Sequence, residues 1–433
     1  MSLVAVVLVC VLTWPAHAQS PPPPDICGCA SHPASLGAFD TRDNGTWPAG
    51  TVQNYNSLLL PVPPDGVLVF DSIHVEWRGA LPCCGAELRF AANAANTPIT
   101  ILVKGDVELR SGTTVRISGA NGGNGSFNTF AAGGRGGPGG FRGGDGAYRT
   151  VNFVSDGGAG LGPGGGLGGT ASPGTLAGGG SFVSSSDLLP LVGGSGGGGG
   201  NGGVAACPSG SMGSAGGGGG GGGALLIAAN GTITLDGQIE ANGGNGGASP
   251  EWPCAKGGAG GSGGAVRLLA NTIAGAGTIS ARPGTRYDDG FASDFGAIRL
   301  EALNVTMGVS QTQPVATRTA NPGPIVNPFN PKVSITAVAG QAVPPTPQGV
   351  FGVVDVQLPA PGPTSIDVQT SGVPSGTAVE VKVKARVGAP PIVASATLGG
   401  CDANGTCSGT VTVNLAAGTY TVEARATFQQ PAS

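Results

Sequence analysis

The chain has 433 residues and a formal net charge of −4; 85 residues are Gly and 35 are Pro, with only 5% aromatic and 10% charged. That much Gly and Pro excludes an ordinary single compact domain, and an apolar content of 39% excludes disorder throughout, because disordered chains are poor in aliphatics and rich in net charge. No basic face is visible, which excludes electrostatic binding of nucleic acid.

At the N-terminus, residues 3–12 (LVAVVLVCVL) form a short apolar run, closed by Ala16-His17-Ala18 before Gln19. This predicts a signal peptide over 1–18, cleaved after Ala18, and the run is too short to span a membrane. It departs from the usual pattern in having no Lys or Arg ahead of it. Lipidation at Cys10 is the other reading, but Val9 occupies the position where a small residue is wanted. Export to the cell envelope or the extracellular space is expected, with no membrane span after cleavage. Loss of Cys10 leaves eight cysteines, an even number suited to disulfides. Cys401 and Cys407 flank the turn sequence Asp-Ala-Asn-Gly-Thr and are expected to bridge. Cys207 pairs with Cys254, and Cys27 and Cys29 pair with Cys83 and Cys84 in an order left open. No C-x-x-C occurs and the mature chain keeps only His32 and His74, so neither metal nor cofactor is expected.

Residues 19–66, with Pro21 to Pro24 and the first cysteines, read as an extended lead segment. From residue 67 the apolar runs are short, β-branched and partly of period two, as in Val107-Glu108-Leu109 and Val115-Arg116-Ile117, and no 3.6-residue pattern persists. The chain is expected to be all-β. Units opening at Ile101, Ala224, Ala265 and Ala297 repeat one design: an apolar strand, an Asn/Gly corner, short strands and a Gly-rich loop. The first two carry the same A-N-G-G-N-G. Three short strands per unit, joined by corners needing positive φ, predict a glycine-rich, right-handed parallel β-helix-like solenoid over 67–320. Its inner column would hold Leu226, Ile233, Leu235 and Ile239 against Val266, Leu268, Ile273 and Ile279; hairpins of a β-sandwich are the other reading. Residues 122–223 read as a low-complexity insertion containing the triplet run GGRGGPGGF. It is either a set of laterally paired polyglycine strands or a loose loop, and Phe127, Phe130, Phe141, Tyr148 and Phe153 favour packing. A Pro/Asn linker at 321–331 leads to 332–433, whose roughly seven alternating strands predict an Ig-like or fibronectin-III-like β-sandwich.

The segments GGGGALLIAANGTITLDGQIEANGGNGG and GGSGGAVRLLANTIAGAGTISARPG resemble those of secreted bacterial glycine-rich β-helix proteins, adhesin-like and often carrying Ig-like modules. The resemblance implies a structural or adhesive role without catalysis, with cell-surface glycans or envelope and matrix proteins as partners, and it brings no catalytic motif with it. Parallel β-helices also include polysaccharide lyases and hydrolases. For that alternative the candidate site is Arg286, Asp288, Asp289 and Asp294, whose carboxylates suit acid/base work or Ca²⁺, although Asp-Asp-Gly is also a turn sequence. His74-Val75-Glu76 lacks the thiol pair a zinc site would need. Gly143-Gly144-Asp145-Gly146 is a single copy of a calcium-repeat fragment, and Thr232, Thr234 and Thr278 do not form an ice-binding array.

Overall fold

The computed structural model describes residues 25–32, 34–54, 57–76, 86–93, 96–126, 131–147, 155–171, 174–203, 214–250, 254–325, 332–344, 354–385, 392–402 and 405–426. Among the described residues the protein is nearly all β, with no α-helix and only short 3-10 turns between strands.

The first 17 strands run in successive layers. They are β1 (Ala38–Asp40), β2 (Val52–Asn54) and β3 (Ser57–Pro61); β4 (Val67–Phe70), β5 (Ser72–Val75) and β6 (Ala86–Ala91); β7 (Ile99–Val103), β8 (Val107–Leu109) and β9 (Thr113–Arg116). Then follow β10 (Ala224–Ala229), β11 (Thr232–Leu235) and β12 (Gln238–Glu240); β13 (Ala265–Ala274) and β14 (Thr278–Ser280); β15 (Ala297–Val305) and β16 (Thr312–Gln313); and β17 (Thr317–Thr319), which opens the next layer. Each strand pairs in parallel with its counterpart one layer on, and the exception is the antiparallel β2–β3 pair. The order β4-β7-β10-β13-β15-β17 forms one row, β1-β5-β8-β11-β13 a second, and β3-β6-β9-β12-β14-β16 a separate sheet.

Register places like over like. Ile73, Val107, Ile233 and Ile273 align across β5, β8, β11 and β13, and Val115, Ile239 and Ile279 across β9, β12 and β14. The period-two pattern points these residues inward to one continuous aliphatic core. Each fully buried Val, Leu or Ile there contributes about 1.5–3 kcal/mol.

Three expectations change. Leu226 does not join that core; Leu225 and Ile227 do. Leu226 faces the other side of its sheet, with Val69, Leu102, Ala228 and Leu269, under a cover of Cys27, Cys29, Ile26, Leu191 and Ile325. Burial on both faces explains the unbroken apolar run ALLIAA of β10. Parallel pairing also begins before residue 67, because β1 already pairs with β5 and β3 with β6. Nor does every corner require positive φ: Gly112 and Gly275 adopt it, and Gly231 does not.

Past β9, β12 and β14 the chain continues outward as residues 117–125, 241–248 and 281–285, and it returns as 214–223, 256–264 and 293–296 into β10, β13 and β15. Between 125 and 214 it runs out and back again through 131–137, 140–147, 155–161, 164–169, 177–181 and 194–201. The glycine block is therefore an extension of the layers and is not confined to 122–223. Sheets held apart by side chains lie about 10 Å from each other. Where those side chains vanish, the backbones close to hydrogen-bonding distance, as in Gly223 N to Ile117 O at 2.7 Å and Gly264 N to Ala241 O at 2.7 Å.

Bonding within the block has a period of three, the turn of a polyproline-II-type helix. Gly194, Gly197 and Gly200 donate to Gly222, Gly219 and Gly216; Gly196 and Gly199 donate to Leu161 and Gly158; Gly198 donates to Gly178. The carbonyls of 194–201 accept from Gly166 and Gly169, from Gly144 and Ala147, and from Ala259 and Ser262. This segment is thus bonded on all sides, and 214–223 and 256–264 are enclosed in the same way. The longest glycine runs in the sequence are these enclosed segments. A Cβ at Gly221 would overlap the carbonyl oxygen of Gly194, so glycine is required there by close approach.

Surface segments keep a side chain at every third position. In 117–125 and 241–248 four of those positions hold Asn, whose Oδ1 accepts the outward amide of the next segment: Asn121 from Asn245 (2.9 Å), Asn124 from Ala248 (2.9 Å), Asn242 from Arg282 (2.8 Å) and Asn245 from Thr285 (3.0 Å); Ser118 does the same for Asn242 through its hydroxyl (3.1 Å). The repeated A-N-G-G-N-G is this ladder.

Seven further strands follow: β18 (Lys332–Val338), β19 (Gln341–Ala342), β20 (Gly362–Ser371), β21 (Ala378–Ala385), β22 (Ile392–Thr397), β23 (Thr406–Leu415) and β24 (Tyr420–Ala426). They make two antiparallel sheets, β19-β18-β20-β23 and β22-β21-β24. Ile366, Val368, Val411 and Val413 of one share a core with Val379, Val381 and Val383 of the other. A disulfide joins Cys401 to Cys407 (S–S 2.01 Å) between β22 and β23. A second joins Cys27 to Cys29, so these two do not pair with Cys83 and Cys84. Cys254 is disulfide-bonded. Cys83, Cys84 and Cys207 lie outside the described residues, as do Phe127, Phe130, Tyr148, Phe153 and the expected signal peptide.

Candidate functional site

The loop linking 281–285 to 293–296 sits at the outer end of the glycine block and carries Arg286, Tyr287, Asp288 and Asp289. An isolated antiparallel bridge between Thr285 and Ala292 closes it. Arg286 N donates to Phe291 O (2.8 Å), and Gly290, at φ +70°, donates back to Arg286 O (3.0 Å). The Arg286 guanidinium forks onto Asp289, with Nε to Oδ1 at 2.8 Å, and reaches Ala177 O at 2.8 Å. It also lies 5.1 Å from the centre of the Phe291 ring.

This pairing, with help from the Phe291 amide, holds the Asp289 carboxyl down at about 2, against an ordinary 3.8. A general acid or base works best with a pKa near the operating pH, so a carboxylate held this low is poorly suited to proton transfer at neutral pH. Asp288 accepts the Gly257 amide at 3.1 Å through both oxygens and so ties the loop to the neighbouring segment. Asp294 lies in the returning segment; its amide donates to Gly180 O (3.2 Å) and its carbonyl accepts from Gly263 (3.0 Å). The structure therefore joins Arg286 with Asp289, and it commits Asp288 and the Asp294 backbone to the glycine block. A cation at Asp288 and Asp289 would have to displace an amide and a guanidinium.

The sequence reading did not weigh the rings on this loop. Tyr287, Phe291 and Phe295 are 54%, 59% and 44% exposed. Phe39, Phe70 and Phe90 are buried in the core. The available signal was three aromatics within nine residues of an otherwise aromatic-poor chain.

Other clusters hold the fold together. On the outer face of β1, β5 and β8, His74 lies between Glu108 (Nδ1, 3.0 Å) and Glu76 (Nε2, 2.9 Å); Arg110 pairs with Glu108, and Arg42 links Glu76 to Asp40. The His74 hydrogen bond, with Arg42 nearby, lowers the Glu76 carboxyl. Buried Glu301 accepts Arg267 Nε (2.7 Å), Arg299 Nε (2.6 Å) and the Gly323 amide (2.6 Å). Burial pushes its carboxyl up, but these donors prevail and hold it below the ordinary value. Asp25, Cys27 and Cys29 bring three donor atoms within 4.8 Å of one another. With the cysteines bridged, however, the sulfurs are not thiolates and do not form a metal-ligand set. Asp145 of the calcium-like fragment pairs with Arg142 and accepts the Gly133 amide. Among the described residues no helix is long and apolar enough to cross a membrane.

Comparison with family models, with curated proteins and with solved structures gives no match.

Proposed function

We propose that this is a secreted or cell-surface structural and adhesive protein without catalytic activity. In this reading the parallel layers are the wall of a right-handed β-helix-like solenoid, and the antiparallel sheets at 332–433 are an Ig-like sandwich. Cell-surface glycans or envelope and matrix proteins are its partners. The observation that carries the reading is the glycine block. Its interior segments spend their amides and carbonyls on one another and carry almost no side chains, so the block has little to react with and serves as a stiff mount for the loop at its end. The polar groups of that loop are committed in the same way, Arg286 to Asp289 and Asp288 to Gly257.

The test is to bind the mature chain, from Gln19, to whole cells and to a glycan array. Release of reducing sugar and unsaturated uronate is followed on any glycan that binds. Binding without turnover is the expected result. Turnover that disappears in Asp289→Ala would replace this reading with that of a polysaccharide lyase or hydrolase working at Arg286, Asp288, Asp289 and Asp294.

A further inference from the structure

We infer that the 285–296 loop is a docking platform for a neutral polysaccharide, with Tyr287 and Phe291 stacking on the C–H faces of its sugar rings. The inference rests on the adhesive reading and names the class of ligand.

Exposed aromatics are a cost that a soluble surface normally avoids, and a rigid cluster of them marks an interaction site. Here the exposure is enforced by the loop. The Thr285–Ala292 bridge, the Arg286–Asp289 fork and the bond from Tyr287 N to Gly258 O (3.1 Å) fix the backbone on which both rings stand. The guanidinium beside Phe291 restrains that ring as well. Rings held in this way offer contact area at little further cost in conformational entropy.

Charge selects among partners. Residues 285–296 contain one Arg against Asp288, Asp289 and Asp294, a net −2 (+1 − 3), so a polyanion is repelled. The Asp289 carboxylate is taken by Arg286 and the Phe291 amide, and the Asp288 carboxylate by the Gly257 amide, so two of the three counter-charges that a polycation would seek are already engaged. Apolar ring faces beside polar backbone remain, and these complement an uncharged sugar, whose C–H faces are apolar and whose hydroxyls form hydrogen bonds.

Affinity electrophoresis of the mature chain through gels containing hydroxyethyl cellulose, galactomannan, laminarin or alginate tests this. The wild type should be retarded by at least one of the three neutral polymers and not by alginate. Tyr287→Ala and Phe291→Ala should each weaken that retardation about tenfold, and Phe291→Tyr should retain it. Urea midpoints of all variants, measured in parallel, should match the wild type because the rings are exposed; a variant with a shifted midpoint is set aside in favour of the other. The platform is overturned if no neutral polymer retards the wild type, if alginate does so equally, or if a folded alanine variant binds as well as the wild type. Whole-cell binding separates the two readings. Adhesion to cells without retardation by any neutral polymer rejects the platform alone, and absence of both rejects the adhesive reading with it.

Discussion

Gly221 and Arg135 face opposite fates although both belong to three-residue repeats of the same block. Gly221 is enclosed, and an added Cβ would collide with the Gly194 carbonyl, a backbone atom that cannot rotate away. Overpacking of this kind costs about 1–3 kcal/mol, and more where the atom met cannot move. Arg135 points to solvent, so its truncation should stay within about 0.5 kcal/mol. Urea midpoints of Gly221→Ala and Arg135→Ala should therefore differ widely; similar midpoints would mean that the enclosed segments do not pack this closely. Asn245→Ala lies between these extremes, since it removes the acceptor of the Thr285 amide at a site open to water, and should cost about 1 kcal/mol.

Two carboxylates make further predictions at the same scale. Asp289 is depressed to about 2 in the folded chain, below its ordinary 3.8. Its contribution to stability is therefore complete above pH 4–5 and is lost as the pH falls toward 2. The pair is partly exposed and screened, so the contribution is about 1 kcal/mol or less. Asp289→Asn should flatten that part of the stability–pH curve, and an unchanged slope would show that the fork does not form in solution. Glu301 is fully buried with Arg267. Glu301→Ala leaves that guanidinium without its carboxylate and should cost about 3–5 kcal/mol, whereas replacing both with apolar residues of similar volume should recover most of the loss.

At the scale of elements, the two described disulfides close loops of unequal length. Loop-closure entropy assigns about 2 kcal/mol to Cys401–Cys407 and about 1.5 kcal/mol to Cys27–Cys29. Cys401→Ser with Cys407→Ser should therefore lower the stability of the antiparallel sheets by about 2 kcal/mol, read as a shift of their melting transition. The turn sequence between Cys401 and Cys407 made that bridge legible, because a hairpin brings its own ends together. The Cys27–Cys29 bridge was not legible, since residues so close in sequence offer no turn signal to set them against distant partners. The inward alternation of β11 and β12 was equally plain from Thr232-Ile233-Thr234-Leu235, whereas Leu226 was assigned to the wrong face. Alternation cannot orient a strand that is apolar on both sides, and the cover over Leu226 comes from Ile26, Cys27, Cys29, Leu191 and Ile325, far away in the chain. In the candidate site, the nearness of Arg286, Asp288, Asp289 and Asp294 in the sequence grouped them, but the Arg286–Asp289 fork depends on how the turn folds back, and the exposure of Tyr287 and Phe291 depends on where the glycine segments end.

For the whole molecule, the layers and the glycine block are stabilised by different physics on one continuous backbone. The layers bury aliphatic side chains, and the block replaces them with lateral amide–carbonyl bonds at 2.7–3.0 Å. Each such bond contributes only about 1 kcal/mol net, but breaking one inside the enclosed segments strands both groups away from water and costs more than the bond returned. A glycine run on a loose loop exchanges its amides in seconds, because local opening there is nearly free. Enclosed glycines open only when a large part of the block opens together. Hydrogen exchange should accordingly rank the amides of Gly216 to Gly222 with those of Ile233 and Ile273, among the slowest in the chain, although their sequence is the most flexible that a protein can carry. The exposed turn at Gly290 should exchange quickly in the same experiment. Fast exchange across Gly216 to Gly222 would mean that the lateral bonds are transient, and a transient block could not hold the 285–296 loop as a rigid mount.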